Sequence, residues 1–139
     1  MFQRILLPVD LSDRHEAALK AAAELGRASG AEIVLLHVIE LIPGLSIEGE
    51  KPFYARLERK AREHLQQLGR RLDESRAPWR MEVRLGRRAG EVVAWAREAG
   101  TDLIVLTSPL PDPANALAGL GSLSFHLGVV APCPVLLVR

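Results

Sequence analysis

Apolar residues fall into two recurring patterns along this chain, short continuous runs and stripes at helical spacing, and the two alternate from end to end. Ile5-Leu6-Leu7-Pro8-Val9 is the first continuous run and stops at Asp10; without polar alternation it predicts a strand covered on both faces. Ser12 or Asp13 then offers a helix N-cap, with Glu16 three residues after Asp13, and Ala18, Ala21, Ala22, Leu25 and Ala28 follow at helical spacing up to Gly30. Ile33 to Ile39 predicts a second buried strand. Leu41 to Lys51 contains Pro43, Gly44 and Gly49 and predicts a long loop of the kind that lies over a site. From Pro52 onward, Phe53, Leu57, Ala61, Leu65, Leu68 and Leu72 form an unbroken stripe, the longest helix. Met81 and Val83 alternate with Glu82 and Arg84, which predicts a strand with one less covered face, at a sheet edge. Val92, Val93, Ala96 and Ala99, closed by Gly100, predict a third helix, and Asp102 to Thr107 a fourth strand. Beyond the Pro-rich stretch 109–113, Leu117, Leu120, Leu123 and Leu127 predict a fourth helix, and Pro134 to Val138 a fifth strand.

Strict alternation of strands and helices implies parallel strands joined by right-handed crossovers, hence a doubly wound five-stranded sheet with helices on both faces. The 139 residues suit one domain spanning 1–139. Ligands of such sheets bind beyond the carboxyl ends of the strands where strand order reverses, which directs attention to Pro8–Ser12, Val38–Glu40, Gly86–Ala89 and Thr107–Ser124.

Composition removes several classes. Hydrophobic residues at 48% and charged residues at 25% are those of a folded globular chain. Eighteen Lys and Arg against 17 Asp and Glu leave a net charge of +1, which lacks the basic footprint of a nucleic-acid binder. No apolar run is long enough for a membrane span and the first residues lack signal-peptide architecture, so a cytoplasmic protein without membrane association is expected. Cys133 alone forbids an intrachain disulfide, and His15, His37, His64 and His126 are too dispersed for a metal site. The basic residues of the long helix are interleaved with Glu58, Glu63 and Asp73, a solvated face.

Asp10, at the end of the first strand, can accept hydrogen bonds from a ligand hydroxyl or amine, or cap the following turn. A phosphorylatable receiver domain also carries aspartates here, but it needs another acid after the third strand and a Lys near the end of the fifth, where Leu85-Gly86 and Val138-Arg139 stand. Gly121-Ser122-Leu123-Ser124 lies near the start of the fourth helix, where free amides and the helix dipole favour anions. His37 reads as a hydrogen-bonded core residue and Cys133 as a buried inert thiol; Arg87 and Arg88, before the third helix near the ligand-bearing edge, either meet an anion or, the favoured reading, form a solvated pair. No nucleophile with an adjacent base can be assembled, so no catalytic residue is expected.

Ile5-Leu6-Leu7-Pro8-Val9-Asp10-Leu11-Ser12, Leu36-His37-Val38-Ile39, Thr101-Asp102-Leu103-Ile104-Val105, Gly121-Ser122 and the terminal Ala131-Pro132-Cys133-Pro134-Val135-Leu136-Leu137-Val138-Arg139 together resemble the universal stress protein family. The resemblance covers essentially the whole chain, in order. It implies an adenine-nucleotide-hydrolase-like α/β sandwich with strand order 3-2-1-4-5 and a homodimer paired through the C-terminal strand, here Val135, Leu136, Leu137 and Val138. It also implies an adenosine side built from Pro8, Val9, Asp10, Val38 and Leu106, and a phosphate side built from Thr107, Gly121, Ser122, Leu123 and Ser124.

Many family members bind ATP through Gly-x2-Gly-x9-Gly-Ser/Thr after the fourth strand. Here Thr107 and Leu110 stand at the first two glycine positions, and Gly121 comes one residue late. Pro109, Pro111 and Pro113 remove three amide donors, and Asp112 brings negative charge where phosphates would lie. The expected protein is therefore a non-enzymatic stress-response dimer that requires no cofactor and holds ATP weakly. An adenine-nucleotide sensor, binding ATP or AMP with at most slow hydrolysis, is the alternative.

Overall fold

The structure, a computed structural model, describes residues 1–108, 114 and 122–139. Element order is β1 (Arg4–Pro8), α1 (Glu16–Ser29), β2 (Glu32–Glu40), α2 (Lys51–Glu74), β3 (Trp79–Gly86), α3 (Arg88–Glu98), β4 (Leu103–Thr107), α4 (Leu123–Val130) and β5 (Val135–Val138). The strands form one five-stranded sheet in the order β3-β2-β1-β4-β5, and every pairing is parallel. The expected strand order and the edge position of β3 are both observed, with β5 as the opposite edge.

Side chains alternate across the sheet and feed two cores. Ile5, Leu7, Ile33, Leu35, Leu103 and Val105 pack with Ala18, Leu19 and Ala22 of α1 and Leu65 and Leu72 of α2. Leu6, Val34, Leu36, Val38, Ile104 and Leu106 pack on the other face with Val92, Trp95 and Ala96 of α3 and Leu127 of α4. Both sides of β1, β2 and β4 are thus covered, which is why these strands read as continuous apolar runs.

Local differences from the sequence reading have physical causes. Helix α1 starts at Glu16 with His15 at the N-cap position, because the Ser12 side chain bonds Asp10 and is not free to cap the helix. Its inner face is Ala18, Leu19, Ala22, Ala23 and Gly26, leaving Ala28 exposed. In α2 the buried aromatic is Tyr54, not the half-buried Phe53. The Tyr54 hydroxyl donates to Leu45 O at 2.6 Å and accepts from Ile42 N at 3.2 Å, anchoring the loop between β2 and α2. Helix α4 begins at Leu123; the expected Leu117 and Leu120, like Gly121 and the Pro-rich stretch 109–113, lie outside the described residues.

Candidate functional site: a cleft at the strand switch point

Strands β1 and β4 are neighbours, yet β1 leads to α1 on one face while β4 leads towards α4 on the other. The chain parts between their carboxyl ends, and a crevice opens there. Its cavity of about 300 Å³ lies at the lower end of the usual range for small-molecule sites. Pro8, Val9, Asp10, Val38, Leu106, Thr107, Ser122, Leu123 and Ser124, all named from the sequence, line it together. The lining also includes Arg14, His15, Leu36 and Val92, which the sequence reading did not assign to a site, and Arg88, from the Gly86–Ala89 segment singled out by the sheet topology.

The polar centre of the cleft is Asp10. Its Oδ1 accepts the Ser12 amide at 3.0 Å, the Ser12 hydroxyl and His15 Nε2 at 2.7 Å, and its Oδ2 accepts Arg14 at 2.9 Å. Burial pushes this carboxyl upward, but hydrogen bonds from the Ser12 side chain, His15, the Ser12 backbone and Arg14 outweigh it and hold the group well below the usual carboxylate range. Asp10 is therefore ionised at neutral pH and organises the turn after β1, the second of the roles open to it. A carboxylate has about four acceptor positions. Three partners crowd Oδ1 and one reaches Oδ2, so the remaining capacity is on Oδ2.

His15 is the residue that sequence reasoning missed. It is only 4% exposed and spans the switch point, with Nε2 against Asp10 and Nδ1 2.7 Å from Thr107 Oγ1. An anionic oxygen at 2.7 Å calls for a hydrogen on Nε2; in the tautomer that carries it there alone, Nδ1 accepts the Thr107 hydroxyl proton. The Asp10 amide also points at Nε2, but from 3.2 Å, the weaker contact. The ring thus ties the end of β1 to the end of β4. The available signal was a histidine five residues after the aspartate that ends a buried strand; that spacing has no helical or strand meaning until the turn folds.

The other groups fall into place around this bridge. His37 Nδ1 donates to Val9 O at 2.9 Å, and burial pushes the ring towards its neutral form. It is half-buried and hydrogen-bonded, close to the expected core role. Ser122 caps α4, its hydroxyl accepting the Phe125 amide at 3.3 Å, and Leu123 and Ser124 supply the first turn. Arg88, the first residue of α3, lines the cleft and meets Glu40 through Nε at 3.5 Å; Arg87 precedes it and is exposed. Both arginines are exposed, as expected of the pair, and Arg88 also borders the cleft. Cys133 is half-buried, and burial raises its thiol, as an unreactive sulfur requires.

Beyond the cleft, edge strand β5 exposes Leu136 and Leu137, and α4 beside it exposes Phe125, Val129 and Val130, with Val129 70% exposed. Among the described residues, no group of three or more His, Cys, Asp or Glu could hold a metal ion, and no helix is long and apolar enough to cross a membrane.

The universal stress protein family matches residues 1–139. A Thermus aquaticus relative, the universal stress protein in the QAH/OAS sulfhydrylase 3′ region, is 32% identical over 140 residues, covering all of both chains. Universal stress protein UspA from Lactobacillus plantarum superposes with a TM-score of 0.80 at 24% identity, over 99% of this chain and 98% of that one. The universal stress protein from Archaeoglobus fulgidus solved in complex with dAMP gives a TM-score of 0.75 at 20% identity, over 99% and 98%. Two further solved relatives were crystallised with cAMP and with AMP. With the whole chain matched and the same sheet order observed, this protein belongs to the universal stress protein family.

Proposed function

We propose that this chain is a non-enzymatic, cytoplasmic stress-response protein whose cleft takes a purine nucleoside monophosphate and holds ATP weakly. The observation that carries this reading is the convergence of the nine sequence-named residues on one cavity of about 300 Å³. The aliphatic walls Val9, Leu36, Val38, Val92 and Leu106 suit a flat base, and Asp10 Oδ2 suits a ribose hydroxyl. The first turn of α4 suits a single phosphate. The adenine nucleotides carried by solved relatives agree with this ligand class. Weak ATP binding follows from Pro109, Pro111 and Pro113, which have no amide hydrogens to offer the outer phosphates, and from the charge of Asp112.

The absence of catalysis rests on the Asp10–His15–Thr107 chain. It has the order of acid, base and hydroxyl, but the base is 4% exposed and both of its nitrogens are engaged within the protein. We assign it the role of a clamp. Dimerisation through Val135, Leu136, Leu137 and Val138 is part of the same proposal, supported by the apolar edge that β5 and α4 leave uncovered.

Isothermal titration with AMP and ATP tests the ligand: AMP should bind at least about tenfold more tightly, a difference of about 1.4 kcal/mol. ATP binding as tightly as AMP, or no purine nucleoside monophosphate binding, would overturn the reading. Sedimentation of the same protein should give a dimer, with Leu137→Glu shifting it to monomer; a wild-type monomer would remove the dimer from the proposal.

A further inference from the structure

We infer that the base end of this cleft selects a 6-oxopurine, guanine or hypoxanthine, over adenine, and that Arg88 makes the selection. The inference rests on the nucleoside monophosphate reading above and deepens it. In the sheet order β3-β2-β1-β4-β5, Ser122 to Ser124 lie at the β4 end of the crevice, and the α3 start lies towards β2, where Arg88 meets Glu40. If the phosphate sits at the first turn of α4, the base occupies the other end, between Val38 and Val92.

The charged and polar side chains of the cleft are unequal in what they can offer there. Asp10 is held by Ser12, Arg14 and His15, and Arg14 is held in turn by Asp10 and Ser12. Arg88 is different. Among the described residues its only ion-pair partner is Glu40, through Nε at 3.5 Å, and Glu40 is exposed and does not line the cleft. The terminal nitrogens of Arg88 make no hydrogen bond to a described residue. A guanidinium is a fork of donors with no acceptor. The base edge that meets it must present acceptors.

Purines divide on this point. A 6-oxopurine offers O6 and N7 side by side, the pair that an arginine fork engages bidentately, whereas adenine puts an amino donor at position 6 against another donor. Arg88 stands at N1 of α3, where replacing it removes no cap and no buried contact, so the specificity can be tested without unfolding the protein.

The test is titration of the intact protein with AMP, GMP and IMP, repeated with Arg88→Ala and Arg88→Lys. GMP and IMP should each bind at least about tenfold more tightly than AMP, since a bidentate arginine contact of this type discriminates by roughly that factor or more. In Arg88→Ala the preference should fall to within about threefold, with GMP and IMP weakened far more than AMP. Arg88→Lys should restore it only in part, because a point charge cannot make the paired contact. IMP separates the 6-oxo group from the 2-amino group of guanine. AMP binding as tightly as GMP and IMP, or a preference that survives Arg88→Ala, overturns this inference while leaving the monophosphate reading intact. Failure of all three nucleotides to bind overturns both.

Discussion

The clamp formed by His15 makes a quantitative prediction for stability. His15→Ala removes two hydrogen bonds of 2.7 Å from a ring that is 4% exposed. The bond to the ionised Asp10 is worth about 1.5–3 kcal/mol and the bond to Thr107 about 1 kcal/mol. Water entering the enlarged cleft restores part of this, so a net loss of about 2–4 kcal/mol is expected. At roughly 4 °C per kcal/mol for a chain of this length, Tm should drop by about 10 °C. Thr107→Val removes only the second bond and should cost about 1 kcal/mol. Because the two residues share that bond, the double variant should be more stable than the sum of the single losses predicts, by about 1 kcal/mol. Urea unfolding followed by tryptophan fluorescence provides the assay, with m held constant across the variants. A loss below about 0.5 kcal/mol for His15→Ala would place it among ordinary surface substitutions and refute the clamp. Additivity within about 0.3–0.5 kcal/mol would refute the coupling across the switch point.

Two further predictions use the same assay. Gly69 is buried in α2 against the Trp79 ring, and a Cβ there would lie 2.2 Å from Trp79 Cη2 and Cζ2. Gly69→Ala should therefore lose about 1–3 kcal/mol to overpacking, outweighing the gain of up to about 1 kcal/mol in helix propensity. The Trp79 Nε1–Asp73 bond at 2.7 Å would be disturbed as well; a stabilised variant would show that the close approach is misread. His37 bears on pH. Burial lowers its folded pKa, so the unfolded chain binds its proton more readily, and the contribution is complete above about pH 6.5 and falls as pH drops below it. His37→Gln should flatten stability between about pH 7 and pH 5; an unchanged slope there would assign the dependence to another group.

Much of this fold was legible because its local and global signals agree. The apolar runs of β1, β2 and β4 have no polar alternation since both sheet faces are covered, and the half-polar pattern of β3 follows from its place at the edge. Gly30, in left-handed conformation at φ 70°, ends α1 where the sequence places the stop. The site was legible in part. The family resemblance names Pro8, Val9, Asp10, Val38, Leu106, Thr107, Ser122, Leu123 and Ser124, and all but Leu106 also fall in the strand-end and helix-start segments that the sheet topology singles out. Tyr54 was overshadowed by Phe53, since the two differ by one position on the helix and only the loop that Tyr54 anchors distinguishes them.

The sequence by itself determined the order and type of the elements, the crossover rule that makes the sheet parallel, and the region in which a ligand can lie. These depend on periodicity, chain direction and handedness, which act over a few tens of residues. Tertiary structure alone decided that His15 bridges Asp10 and Thr107, 92 positions apart from its second partner, and that the exposed Arg88 borders the same cleft. Hydrogen bonds form between groups within about 3 Å whatever their separation along the chain. No spacing rule can announce them before the sheet brings the ends of β1, β2 and β4 together.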